Sequence, residues 1–137
     1  MNIEISHFIS NNKNKTLVKV PIKYLPIYLM NFLGSELKTQ TYCNLETRRY
    51  ILNGHNNIDL INNLINYYII NYIECVYCKS NTYFNIILNT LNEFNSDEND
   101  FNLSRTCYTC DYKFIYKEYH PLNLFIINSI STTTTTL

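Results

Sequence analysis

No apolar run in this chain approaches the roughly 18 residues needed to cross a bilayer, so no transmembrane helix is expected. The opening MNIEISHFISNNKNK lacks a charged start, an apolar core and a small-residue cleavage site, so it does not read as a signal peptide. Net charge is missing too: eleven basic and eleven acidic side chains cancel. With no polybasic tail there is no global attraction to nucleic acid. Any RNA contact must be a local patch or part of a larger assembly. Catalytic signatures are also absent. No G-x-S-x-G, P-loop, GxGxxG or H-E-x-x-H occurs, and His7, His55 and His120 are scattered along the chain. His120, just before Pro121, is expected to cap or hydrogen-bond locally. Tryptophan is absent, and glycine and proline are few. Asparagine and isoleucine are abundant, a bias that fits an AT-rich genome.

What is present is enough for a core: 46% apolar and 15% aromatic residues in a chain of 137. That length suits one domain, or one small domain plus a metal-stapled module. Residues 2–9 and 16–20 read as strands around a turn at 10–15. Pro21 and Pro26 break regularity, and IYLMNFLGSEL reads as a helix that ends at Gly34 or runs through it. Residues 38–43 and 48–53 read as two more strands, joined around NLET, with Asn53-Gly54 a turn signal. The clearest helix follows. Asn56 or Asn57 can cap it, and Asp59 sits in its first turn. Its stripe of Ile61, Leu64, Ile65, Tyr68, Ile69 and Tyr72 should pack on the sheet. The order predicts an α+β fold, a small sheet with packed helices over residues 1–73. A C-terminal four-cysteine zinc ribbon and extension over 74–130 and a disordered tail over 131–137 should follow. Residues 92–104, polar and acidic, read as a loop.

Four of the five cysteines form two C-x-x-C pairs, Cys75 with Cys78 and Cys107 with Cys110. The two-residue spacer lets both thiolates of a tight turn point at one ion, and two such turns complete a tetrahedron with Zn–S about 2.3 Å. The 28 residues between the pairs exceed the roughly 15–20 of a usual ribbon, and the acidic loop accounts for the excess. Four thiolates leave no open coordination position, so the expected Zn2+ is structural, one per chain. A redox dithiol and unligated cysteines are the competing readings. Cys43, alone in a strand pattern, reads as a small buried hydrophobe. The residues by themselves indicate a cytosolic binding module, not an enzyme.

Phe32-Leu33-Gly34-Ser35-Glu36-Leu37-Lys38-Thr39-Gln40-Thr41, then Arg49-Tyr50-Ile51-Leu52-Asn53-Gly54, then Cys75 and Cys78, stand in a distinctive order. This run resembles the N-terminal domain of eukaryotic translation initiation factor 5 and, more distantly, the beta subunit of initiation factor 2. Those proteins show F-G-x-E-L-x-x-Q-T, R-Y-x-[VI]-N-G and a helix leading into C-x-x-C. The stretch from Tyr119, YHPLNLFIINS, is similar to the H-H-K-L-x-x-F-I-L-K-N that follows their ribbon. The extra Leu33, the long second spacer and a shortened region between Val20 and Phe32 are departures.

The resemblance implies a cytoplasmic, monomeric translation factor. Its partners would be the small ribosomal subunit, initiator tRNA and the initiation factor 2 complex, and it would modulate start-codon selection. In that family, stimulation of GTP hydrolysis is attributed to an arginine in an N-terminal R-Y-K-M-P stretch. Here the first arginine is Arg48, so that activity is not expected. Lys15 matches a family lysine, and Asn31 replaces another. The resemblance implies RNA-facing loops with Asn12, Lys13 and Lys15 on the first hairpin and Arg48 and Arg49 on the second, at one end of the sheet. Two other readings stay open: a GTPase-activating protein with a displaced cation, and an interaction ribbon that competes with a host initiation factor.

Overall fold

The computed structural model describes residues 3–80, 84–90, 101–116 and 120–135. They fall into two compact units, Met1–Tyr72 and Ile73–Leu137.

In the first unit, β1 (Glu4–Ser10) and β2 (Lys13–Lys19) form a hairpin, and α1 (Pro26–Leu37) follows. A second hairpin, β3 (Thr41–Asn44) and β4 (Arg49–Asn53), leads into α2 (Ile58–Tyr68). The sheet is antiparallel with order β1-β2-β4-β3. The expected α+β class is therefore what forms. The first turn is shorter than the sequence suggests. Ser10 pairs with Lys13, which leaves only Asn11 and Asn12 at the tip, with φ of 54° and 64°. Asparagine tolerates this left-handed conformation, so a two-residue turn closes and the strands run on through residues expected to be loop. Lys13 and Lys15 consequently belong to β2.

Period-two alternation sets what each sheet face carries. Thr16 and Val18 of β2 and Tyr50 and Leu52 of β4 are buried on one side. There α1 packs against β3, β4 and α2, and contributes Leu29, Met30, Phe32 and Leu33 to the core. The stripe on α2 is turned inward, with Ile61, Ile65, Tyr68, Ile69 and Tyr72 buried and Leu64 half-buried, and the helix packs against α1. Asn57 caps this helix by accepting from the Leu60 N–H at 2.9 Å. The buried Tyr68 hydroxyl donates to the Tyr24 carbonyl at 2.8 Å. Past Tyr68 the helix widens into a π turn, Ile69–Ile73.

Helix α1 runs straight through Gly34 to Leu37 and ends on Lys38 with φ 53°. A Cβ on Gly34 would stand 2.8 Å from Thr41 Cγ2 and 3.0 Å from the Thr39 carbonyl oxygen. This glycine is there for close approach of helix to strand, not to end the helix. Asn53 and Gly54 build the turn before α2. Gly54 has φ 93°, and its carbonyl accepts from the buried Thr16 hydroxyl at 2.8 Å. Asn56 completes the cluster by donating from its backbone and side chain to the same Thr16 oxygen, each at 3.2 Å. The Asn-Gly signal thus specifies a polar staple between the central strand β2 and the turn that follows β4.

The second unit holds β5 (Phe84–Thr90), β6 (Phe101–Cys107), β7 (Lys113–Tyr116) and α3 (Pro121–Thr135). The strands are antiparallel in the order β5-β6-β7. Residues 101–104, expected in the acidic loop, belong to β6, where Leu103 pairs with both Leu88 and Tyr116. Burial of Leu103 and Ser104 overrides the polar neighbours that suggested a loop. The rest of that loop, residues 92–100, lies outside the described residues. Arg105 is fully buried, its guanidinium 5.3 Å from the Phe114 ring centre and 5.9 Å from that of Tyr116. His120 caps α3 as expected: its Nδ1 accepts from the Leu122 N–H at 3.0 Å. That helix buries Leu122 and Ile126 and continues to Thr135, through most of the stretch expected to be a disordered tail. Once nucleated, a helix propagates at small cost per residue.

Candidate functional site

Each cysteine pair sits in a tight turn, and the two turns repeat one another. The Lys79 N–H donates to the Cys75 carbonyl at 3.0 Å, and the Asp111 N–H donates to the Cys107 carbonyl at 2.8 Å. Lys79 and Asp111 both take left-handed φ, 66° and 63°. The Cys75 N–H donates to the Ser80 carbonyl at 2.8 Å, and the Cys107 N–H to that of Tyr112 at 2.9 Å. This geometry turns backbone amides toward sulfur: the N–H groups of Tyr77 and Cys78 point at Cys75 Sγ from 3.3 and 3.5 Å. The Tyr77 and Tyr112 rings stack with centres 5.8 Å apart and planes 6° from parallel, which ties the two turns together.

The four sulfurs converge. Cys75 Sγ lies 3.6 Å from Cys110 Sγ, and Cys78 Sγ lies 3.7 Å from Cys107 Sγ. All four lie within 4.8 Å of one another and could hold a metal ion. Their protonation reflects this crowding. Burial pushes the Cys75 thiol up, but the amides of Cys78 and Tyr77, with the neighbouring cysteines, overcome it and bring the pKa down to about 6. Burial likewise opposes ionisation of Cys107, and the amides of Cys110 and Thr109 reverse it, so its pKa falls. At Cys110 the Tyr112 amide favours the thiolate, but burial and the three other sulfurs prevail and push it up to about 12. Thiolates so close together cannot all ionise unaided, and a bound cation removes that conflict. Cys43 is outside this cluster. It lies half-buried on β3 opposite Tyr50, and burial pushes its thiol up.

The basic residues are arranged differently from the expectation. Lys15 pairs with Asn53, and Val18 with Tyr50, so β2 and β4 run in opposite directions. The Asn11–Asn12 turn therefore lies at one end of the sheet and the turn carrying Arg48 at the other. They stand about 25 Å apart at the usual rise of ~3.3 Å per strand residue. One RNA-facing end that gathers Asn12, Lys13, Lys15, Arg48 and Arg49 does not exist. A single hairpin can be read from local sequence, but the relative direction of two hairpins is set by which strands pair.

What the register does gather is a face. Lys13, Lys15 and Lys19 alternate with the buried residues of β2, and Arg49 does the same on β4. All four project from the side of the sheet opposite the helices. The Lys15 ammonium donates to the Asn53 side chain on that side. The Arg49 guanidinium lies 5.8 Å from the Phe8 ring centre. Asn12 and Arg48, with φ of 64° and 56°, stay in their separate turns. Sequence reasoning missed Lys19, Phe8 and Tyr42 on this face. Counting from a known partner pair would have found them. It also described the histidines as scattered, whereas His7 and His55 come together with ring centres 3.6 Å apart, and His7 Nε2 lies 2.6 Å from the Asn56 carbonyl.

A sheet-and-helix domain joined in sequence to a four-cysteine ribbon defines the class of protein. Residues 7–113 match the family described as a domain found in initiation factors 2B and 5, and the chain belongs to that family. It is 26% identical over 104 residues to the eukaryotic translation initiation factor 5 assigned in Schizosaccharomyces pombe, covering 76% of this chain and 24% of that protein. Over 102 residues it is 24% identical to eukaryotic translation initiation factor 5 of Drosophila melanogaster, covering 74% of this chain and 20% of that protein. The chain thus spans about a quarter or less of the length of these relatives. No described helix is long and apolar enough to cross a membrane.

Proposed function

We propose that this chain acts in translation initiation. In this reading it binds the small-subunit initiation complex near initiator tRNA and modulates start-codon selection by binding, not by catalysis. The observation that carries the reading is the family match over residues 7–113, which takes in most of the first unit and both cysteine pairs. The metal centre is read as structural zinc. Sulfur separations of 3.6 and 3.7 Å suit the edge of a tetrahedron with Zn–S near 2.3 Å, about 3.8 Å. Cys75, Cys78, Cys107 and Cys110 would hold the ion and leave it no open position for chemistry. The test is co-sedimentation with small subunits carrying initiator tRNA, combined with a reporter that compares initiation at AUG and near-cognate codons. Retention on the subunits with a shifted codon ratio supports the reading. Absence of the protein from the subunit fraction at low salt sinks it.

A second reading, an interaction ribbon that competes with another initiation factor, is favoured by the zero net charge of the chain. It predicts that an excess of a full-length initiation factor 5 displaces the protein, and that displacement depends on protein contacts and little on salt.

A further inference from the structure

We infer that the face of the four-stranded sheet opposite the helices is a binding platform for single-stranded RNA. This deepens the proposed function by naming the surface that would touch RNA.

The face is defined by strand register. Lys15 stands between Phe8 on β1 and Asn53 on β4, and Ile51 stands between Leu17 on β2 and Tyr42 on β3. Paired residues share a side, so Phe8, Tyr42 and the four cations Lys13, Lys15, Lys19 and Arg49 all belong to one surface. Lys13, Lys19 and Arg49 are exposed, and Tyr42 is 52% exposed. Phe8 and Lys15 are half-buried. The helices α1 and α2 serve the buried side.

Charge selects the occupant. The whole chain has no net charge, yet these four strands present four cations on this face against one carboxylate, Glu4, which pairs across from Lys19. The excess of positive charge is complementary to a phosphate backbone. The rings select a single strand over a duplex. In a duplex the bases are stacked on one another and their faces are closed to protein rings. A single strand can lay unstacked bases on Tyr42 and Phe8. Arg49, already over the Phe8 ring, offers a guanidinium plane for the same purpose. Along β2 the cations span from Lys13 to Lys19, about 20 Å at ~3.3 Å per residue, which is the reach of a few nucleotides.

Binding of a fluorescent mixed-sequence ten-nucleotide RNA to the full chain, followed by anisotropy at 50 and 200 mM salt, tests this. If three or four phosphates are engaged, affinity should fall about 20- to 50-fold between the two salts, from a slope of about −0.7 per phosphate on single strands. The double variant Lys13→Ala, Lys19→Ala should bind more weakly and lower the slope by about 1.4. Tyr42→Ala should lose about 5- to 150-fold in affinity with the slope unchanged, because stacking is not ionic. Arg48→Ala and Asn12→Ala, in the separate turns, should bind as wild type. A duplex of the same length should compete poorly.

The inference is overturned if wild type does not bind the oligonucleotide, or if it binds and the face variants leave affinity and slope unchanged. Co-sedimentation separates it from the reading it rests on. Binding of the oligonucleotide through this face by a protein that does not sediment with small subunits upholds the inference and removes the ribosomal reading. Sedimentation that the face variants abolish, without oligonucleotide binding, makes the face a protein-docking surface. That outcome overturns the inference and leaves the ribosomal reading standing.

Discussion

Tyr50 shows what a residue's neighbourhood adds to its place in a pattern. Strand alternation identifies it as a core position, and it is 1% exposed. Alternation says nothing of its hydroxyl, which is buried with no hydrogen-bond partner among the described residues. Burial raises its pKa above the ordinary 10.0, Cys43 adds to the rise, and Arg48 opposes it. An unsatisfied buried hydroxyl costs about 1–3 kcal/mol of desolvation, so Tyr50→Phe should be neutral or more stable by about 1 kcal/mol. Thermal unfolding at neutral pH checks this, and a loss of stability beyond about 1 kcal/mol would refute it. The sign with pH also follows. A folded-state pKa above the unfolded one binds the proton more tightly in the fold, so stability is complete below pH 10.0 and declines as pH rises past it. The phenylalanine variant should lose less stability across that alkaline range than wild type.

At the scale of elements, patterns whose physics is local were legible and those set by distant partners were not. The stripe on α2 and its asparagine cap depend on residues within a turn or two, and both form. Two C-x-x-C pairs imply two tight turns, and both fold alike. The sequence left open whether α1 ends at Gly34, because the reason for this glycine is Thr41, on another element. Helix propensity alone would make Gly34→Ala stabilising by about 1 kcal/mol. The contact at 2.8 Å should reverse that sign and destabilise by about 1–3 kcal/mol, as overpacking does. Adding Thr41→Ala removes the nearest obstructing atom and should recover part of the loss in urea titration. An additive double variant would mean that the two residues do not meet. The cysteine turns make a parallel prediction. Elemental analysis should find one zinc in wild type and in Cys43→Ser, whose sulfur lies outside the cluster. Cys107→Ser should lose the metal or unfold the ribbon, and full occupancy in that variant would remove Cys107 from the ligand set.

For the whole molecule, composition gave the right totals and hid their distribution. Equal numbers of acids and bases argue against nucleic-acid binding only if the charges are mixed, and the sheet register separates four cations onto one face. A register shift of one residue would turn the lysines of β2 inward, so this arrangement is fixed by the fold and invisible to any count. The two units also differ in where the cysteine cluster lies. The first buries a core of Val18, Leu29, Phe32, Tyr50, Leu52, Ile61 and Tyr68, and holds no member of the four-cysteine cluster. In the second, among the described residues, the buried apolar side chains are Ile73, Leu103, Leu122 and Ile126, beside Cys75 and Cys107 of the cluster. Closure of the four-cysteine cluster around the proposed zinc would add its coordination energy to the folding of this unit. Removing the ion with a high-affinity chelator should therefore melt the second unit and leave the first folded. In amide-resolved spectra, the signals of Val18 and Leu52 should keep their dispersed shifts while those of Leu103 and Thr106 collapse toward unfolded values. Returning one equivalent of zinc should restore them. Loss of both sets together would mean that the metal supports a single cooperative fold, and the division of stabilising forces between the units would be wrong.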